Sequence, residues 1–220
     1  MRYRLLLVDH DDTAVDSTAV VHYPSHLEAL RVLRPALPQP TLEEWWLANF
    51  DPGIMDHLVH GLGMDEVELA REFEIWRSFT ASRVPPFFPG FRELLAGYRA
   101  RGGLVAVVSH SEAVNILRDY RQPCGPAFAP DLVFGWDQDP DRRKPHPWPV
   151  REALRRLGVE PGEALVVDDL KPGVLMARAA GVAAVGAGWG HRVPAIRDWM
   201  RANCLACFQT VEELGRFLLE

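Results

Sequence analysis

Lysine is nearly missing from this 220-residue chain. Its basic residues are arginines except at two places, Lys144 and Lys171. Each lysine therefore marks a position where a compact point charge serves better than a planar guanidinium. Cysteine is also scarce. Three cysteines, an odd number, exclude a disulfide framework. Cys204 and Cys207 form a CxxC, but the second pair that a zinc site needs is absent, and Cys124 stands alone. The cysteines read as small buried hydrophobes. No apolar run approaches the ~18–20 residues of a membrane span, and the first residues run into a strand pattern instead of a signal peptide. The expected location is cytoplasmic. An excess of basic charge is missing too. The net charge of −6 disfavours a general role on nucleic acid or on a membrane surface. Repeats and low-complexity tracts are absent. What remains, 48% hydrophobic and 25% charged residues, is an ordinary globular composition. The length suits one large domain or a core with a modest insertion.

The chain is organised around residues 4–17, RLLLVDHDDTAVDS. Leu5, Leu6, Leu7 and Val8 make a continuous apolar run, the pattern of a strand covered on both faces of a parallel sheet. The run stops at three carboxylates in four residues, Asp9, Asp11 and Asp12. Clustered like charges at the end of a buried strand are costly unless a cation neutralises them. A hard divalent ion such as Mg²⁺, which takes oxygen ligands, does this well. Strand carboxyl ends in open α/β sheets are also where ligands sit. A polar turn capping a strand is the plainer alternative.

Residues 16–85 differ from the rest. HLEALRVL and VELAREFEIWRSF carry helical spacing, no strand stands out, and Pro24, Pro35, Pro38, Pro40 and the turn at Asp51-Pro52-Gly53 divide the block into about four short helices. A proline-rich hinge, VPPFFPGF (84–91), follows, with a helix to about Arg101. From Gly102 the rhythm is strand, turn, helix. LVAVVS (104–109), DLVFGW (131–136) and ALVVDD (164–169) read as strands, and VAAVGAG and CFQT as two more short ones. Helices are expected near 111–120, 147–158, 172–181 and 211–220. Alternating strands and helices imply right-handed βαβ crossovers, hence an α/β fold with a Rossmann-like parallel sheet core and a small inserted α-helical cap. The core comprises 1–15 and 86–220, the cap 16–85. An insertion just after the first strand's carboxyl end reads as a lid.

Three buried strands end on polar groups: Asp9-His10-Asp11, Ser109 and Asp168-Asp169. Lys144 precedes the helix at 147. In this order the four stretches resemble the haloacid dehalogenase-like (HAD) superfamily, whose first signature is DxDx[TV] after a hydrophobic strand. LLLVDHDDTAVDS matches at Asp9, Asp11 and Thr13 and continues with the common VDS. VAVVS matches the second motif, Lys144 in KPHPWP the third, and LVVDDLKPG the two-carboxylate fourth; GVAAVG after it is also usual. The resemblance covers the core. The span from Ser109 to Lys144 is too short for the family's other cap, which leaves the helical type. The branch resembled includes phosphoglycolate phosphatases and β-phosphoglucomutase-like enzymes. Two positions depart from the pattern: Asp12 stands where Gly is usual, and Gly173 where many members carry a further Asp.

The resemblance implies a Mg²⁺-dependent phosphohydrolase of a small phosphorylated metabolite. Asp9 is then the nucleophile, forming an aspartyl-phosphate. Asp11 is the general acid and base, and its backbone carbonyl a metal ligand. Asp169 completes the metal ligands with Asp168, directly or through water, while Ser109 and Lys144 hold the phosphoryl group. Thr13 shapes the turn. His10 and His110 stand beside motif residues with a contact or a packing role. Cap residues His22, His26, Trp45, Trp46, His57, His60, Trp76 and Arg77 are candidate substrate contacts, although tryptophans at helical spacing more often form core. Three other functions share part of this pattern. A phosphoglucomutase-like phosphotransferase shares every core residue, but related mutases often carry a His where this chain has Val21, with His22 one position further on. A 2-haloacid dehalogenase typically lacks the second motif-one Asp. A non-catalytic binding module would have lost residues that this chain keeps.

Overall fold

The computed structural model describes residues 2–121 and 128–220, so Cys124 lies outside the described residues. Among these residues six strands form one sheet: β1 (Leu5–Val8), β2 (Leu104–Val108), β3 (Leu132–Phe134), β4 (Ala164–Asp168), β5 (Ala183–Ala187) and β6 (Ala206–Phe208). Their order is β3-β2-β1-β4-β5-β6, with every pair parallel. Chain order therefore reverses between β1 and β4, and a crevice at the carboxyl ends of these two strands is the usual ligand position of such sheets. β1 is central, in register Val8↔Val107 and Val8↔Val167. The pairing runs one residue past each strand, through Asp9 N–H to Val167 O (2.9 Å) and Ser109 N–H to Phe134 O (3.0 Å). Polar residues at these ends thus inherit the rigidity of the sheet.

Among the described residues ten α-helices accompany the sheet: α1 (Tyr23–Leu33), α2 (Leu42–Phe50), α3 (Ile54–Asp56), α4 (Glu66–Ser82), α5 (Phe91–Ala100), α6 (Ala113–Tyr120), α7 (Trp148–Leu157), α8 (Lys171–Ala180), α9 (Pro194–Asn203) and α10 (Val211–Leu219). One sheet face, carrying Leu6, Val8, Val105, Val107, Leu165 and Val167, packs on α5, α6 and α10 through Phe91, Leu95, Ile116, Tyr120, Leu214 and Leu218. α7 and α8 pack against β2, β4 and β5. The strands are apolar on both faces because both are covered.

Two expectations change in detail. The strand read at 131–136 is only Leu132–Phe134. A Cβ at Gly135 would lie 2.6 Å from Ala113 N, and Trp136 N–H bonds Ser111 O at 2.9 Å, so the chain leaves the sheet beneath the start of α6. Cys204 and Cys207 are free thiols but only half-buried, not core. β6 is an edge strand that pairs only with β5, which leaves its side chains partly uncovered.

The chain divides into two compact units, 1–15 with 87–220, and 16–86. The second is helical. Thr41 with Glu44 and Asp65 with Glu68 form capping boxes that start α2 and α4. Arg34, at the end of α1, binds Glu68 and the carbonyls of Leu62 (3.3 Å) and Gly63 (3.1 Å), joining α1, α4 and the loop between them. Arg34 pulls the Glu68 carboxyl down to about 2. Leu30, Leu58 and Met64 form a small core. No helix among the described residues is long and apolar enough to cross a membrane.

His26 is buried in this unit, stacked on Trp45 with ring centroids 4.0 Å apart, and neither ring nitrogen has a partner among the described residues. Burial, with a smaller effect from His57, pushes its pKa down to about 4. As pH falls from about 6.5 toward 4, the unfolded chain takes up a proton that the folded one refuses. Folding should then lose up to about 3 kcal/mol from this group. Thermal melts of wild type and His26→Phe at pH 7 and 4.5 test this, and the variant should lose less stability between the two pH values.

Candidate active site

Asp9 is the first residue beyond β1. Its Oδ1 accepts the His10 backbone N–H at 2.7 Å and stands 2.9 Å from Lys144 Nζ. The turn then folds back sharply. Ala14 and Val15 N–H both reach His10 O (2.9 and 3.0 Å), and Asp12 N–H reaches Val15 O at 2.8 Å. This needs a left-handed residue at 12, and Asp12 has φ +53°. That conformation favours glycine but is open to Asp, so the departure from the usual Gly leaves the turn intact. It also adds charge, because Asp12 helps to raise the pKa of Asp169.

Lys144 is buried between carboxylates, 2.9 Å from both Asp9 Oδ1 and Asp168 Oδ2. Burial works against its charge, but Asp168 and Asp9 outweigh that and hold the ammonium above its ordinary pKa. Asp168, at the end of β4, accepts Leu170 N–H at 2.9 Å through its other oxygen. It fits only because residue 173 lacks a side chain: a Cβ there would lie 1.9 Å from Asp168 Oδ2. The family's further Asp at this position would collide with this rotamer. Gly173→Ala should displace the carboxylate that steadies Lys144. An ångström-scale misplacement of this kind lowers turnover by about 10²-fold. Steady-state kinetics beside a circular dichroism spectrum measure it, and unchanged kcat would show that Asp168 can move freely.

Asp11 lies apart from that cluster. Its Oδ2 accepts the hydroxyls of Ser109 (2.9 Å) and Ser111 (2.7 Å), and Ser109 Oγ in turn takes Ser111 N–H at 2.9 Å. Ser111 was not among the residues singled out from the sequence. Its only signal was a second Ser two positions after Ser109, ahead of a helix. His110 Nε2 lies 2.9 Å from the Lys144 carbonyl, and burial, aided by the Lys144 charge, lowers its pKa to about 4. It is therefore neutral near pH 7.

Asp9, Asp168 and Asp169 are all buried and offer one oxygen each within 4.8 Å of one another. Burial pushes Asp9 well above the usual carboxylate range; Lys144 opposes this, and Asp168 and Asp11 add to it. Asp169 is raised by burial, then by Asp168, Asp12 and Asp9. Thr13 donates to Asp169 Oδ1 at 3.2 Å, so it does more than shape the turn. Oδ2 of Asp169 has no hydrogen-bond partner among the described residues. Three buried hard-oxygen donors, one orphaned oxygen and a single ammonium make a donor set suited to a hard divalent cation.

The loop after β5 also adjoins these residues, which the sequence did not signal. Trp189 Nε1–H bonds Thr13 O at 2.9 Å, and His191 Nε2 lies 3.3 Å from Asp169 O. A Cβ at Gly190 would lie 1.9 Å from Asp12 O, so only glycine allows this approach. Lys171 begins α8. In the helical unit, Trp76 Nε1–H bonds His22 Nδ1 at 3.1 Å, Trp45 packs in the interior, and His60 is exposed beside Asp56 at 3.7 Å. Arg77 stacks over Phe73 at 5.6 Å.

The chain is similar to known proteins in sequence and in fold. The phosphoglycolate phosphatase of Haemophilus influenzae (strain 86-028NP) is 25% identical over 216 residues, covering 90% of this chain and 94% of its own. That of Nitrosococcus oceani is 27% identical over 202 residues, covering 88% of each. The crystal structure of CbbY from Rhodobacter sphaeroides in complex with phosphate shares the fold at a TM-score of 0.73 and 22% identity, covering 97% of this chain and 96% of that one. The haloacid dehalogenase-like hydrolase family model matches residues 3–181. The chain belongs to the haloacid dehalogenase-like hydrolase family.

Proposed function

We propose that this chain is a Mg²⁺-dependent phosphohydrolase of a small phosphorylated metabolite, working through a phosphoryl group on Asp9. One observation carries the reading: Asp9, Asp168 and Asp169 are buried and offer oxygens within 4.8 Å of one another, and Asp9 is held in place there through Lys144 and the His10 N–H. Asp9, Asp168 and Asp169, with the backbone carbonyl of Asp11, would hold the ion. When bound, Mg²⁺ offsets the repulsion between the phosphoryl charge and the attacking carboxylate. Lys144 adds fixed positive charge beside Asp9. Asp11, held by Ser109 and Ser111, gives a proton to the leaving oxygen and later takes one from the hydrolytic water. When substrate binds, Ser109 turns its hydroxyl from Asp11 to the phosphoryl oxygens, and Ser111 keeps its hold on Asp11. The helical unit, inserted directly after the nucleophile turn, serves as the cap that selects substrate. A phosphorylated two-carbon acid suits the reading, since the relatives are named for phosphoglycolate.

The test is phosphate release from p-nitrophenyl phosphate, phosphoglycolate and a panel of sugar phosphates, each with Mg²⁺ and with EDTA. Release that EDTA stops and added Mg²⁺ restores is expected. Release indifferent to EDTA would remove the metal from the account. Mg²⁺ binding without release from any ester would favour a phosphotransferase that needs a bisphosphate activator.

A further inference from the structure

We propose that His10 is a positioning residue for the nucleophile, and that a buried His10–Asp119 bond backed by Arg118 fixes the Asp9–Asp11 turn to α6. The inference rests on the phosphohydrolase reading and adds a group outside the carboxylate–lysine cluster. His10 Nε2 stands 3.1 Å from Asp119 Oδ2, and both side chains are buried. The other oxygen, Oδ1, receives Arg118 Nε at 2.8 Å and Nη2 at 2.7 Å, from a guanidinium that reaches partial exposure. A chain of three polar groups therefore runs from near the surface to the nucleophile turn.

The surroundings make this arrangement expensive. The His10 ring lies 5.7 Å from Tyr120, which packs on Phe87 and Phe128. An apolar side chain would fill such a place without the cost of burying an ion-pairing couple. What the pair supplies instead is direction. His10 Nδ1 has no hydrogen-bond partner among the described residues, so the bond to Asp119 is what selects the direction of the ring's polar edge. The carboxylate oxygen can only accept, which places the ring proton on Nε2.

The main chain of His10 carries that orientation to the reacting group. Its N–H holds Asp9 Oδ1, and its carbonyl accepts Ala14 and Val15 N–H. A shift of the ring therefore shifts the nucleophile. α6 also acts at its other end, where Ser109 and Ser111, just before it, hold Asp11. The segment from Ser109 through α6 thus reaches both sides of residue 10, Asp11 directly and Asp9 by way of His10.

The experiment uses the full chain and the variants Asp119→Leu, Asp119→Asn, His10→Leu and the double leucine. Each is assayed for kcat and KM on p-nitrophenyl phosphate, with folded fraction from thermal melts. Asp119→Leu should lower kcat about ten- to a hundredfold, the scale of a small misplacement of a reacting group. KM should stay within about twofold, as for an interaction made only in the transition state. Asp119→Asn, whose side-chain oxygen still accepts from Nε2–H, should fall between wild type and Asp119→Leu. The double variant should be no worse than either single one, the mark of two residues acting as one unit. Unchanged kcat in Asp119→Leu, equal losses in Asn and Leu variants, or a loss that follows folded fraction or KM would overturn the proposal. If Asp119→Leu does not fold, His10→Leu carries the same comparison. Should wild type release no phosphate from any ester, the phosphohydrolase reading fails on its own. The tether is then decided by NMR. A slowly exchanging His10 Nε2–H and an Asp9 carboxyl ¹³C shift that both change in Asp119→Leu support it. An Asp9 resonance that does not move refutes it.

Discussion

Asp9→Asn should lower turnover of any phosphate ester by about four orders of magnitude or more, the scale seen when a covalent nucleophile is removed. The side chain keeps its size and can still accept from the His10 N–H, so the turn should stay intact. What it loses is the charge that attacks. It also loses the anion that Lys144 faces at 2.9 Å, leaving Asp168 as that ammonium's remaining carboxylate. Folded stability should therefore change far less than turnover. It should even rise without metal, because burial and the neighbouring acids already penalise the Asp9 anion. Parallel kinetics and metal-free thermal melts measure both effects. Activity within about tenfold of wild type would mean that another group attacks.

Lys144→Met should be the more damaging change to the fold. It leaves Asp9, Asp168 and Asp169 buried together without their ammonium. Removing one member of a buried ion pair costs roughly 3–5 kcal/mol, and losing a fixed charge at a reaction centre costs about 10²–10³ in kcat. The pH dependence has a definite sign. Asp9 and Asp169 have folded pKa values above their unfolded ones, so their penalty is present at high pH and fades as pH falls through the folded values. The stability gap between variant and wild type, measured without metal, should narrow from pH 8 toward pH 5. Taking the difference cancels the opposing trend from His26, which both proteins share. A gap that widens on acidification would contradict this electrostatic picture.

The sheet and its polar strand ends were legible because the information is local. Leu5–Val8, Val105–Val108 and Leu165–Val167 are apolar without interruption, and each gives way abruptly to Asp or Ser. Lys144 stood out because arginine is used almost everywhere else. What stayed hidden depends on chain segments meeting from a distance. Nothing near Asp119 announces a partner 109 residues earlier. Gly173 looked like a missing Asp, whereas its value lies in the space it leaves for Asp168. Gly190 and Trp189 sit in an unremarkable GWG, and only their approach to Asp12 and Thr13 gives them meaning. The Cys207 thiol looked like core because hydrophobicity cannot tell an edge strand from a central one, and Cys204 lies just before that strand, at the end of α9.

In the proposed reaction a phosphoryl group resides on Asp9 during turnover. The most direct measurement is to mix the Mg²⁺-loaded protein with a ³²P-labelled ester, quench in acid within milliseconds, and map the labelled peptide. Label is expected on the peptide containing Asp9, released by hydroxylamine and missing from Asp9→Asn. Rapid phosphate release with no labelled protein at any quench time, or label on another residue, would contradict it.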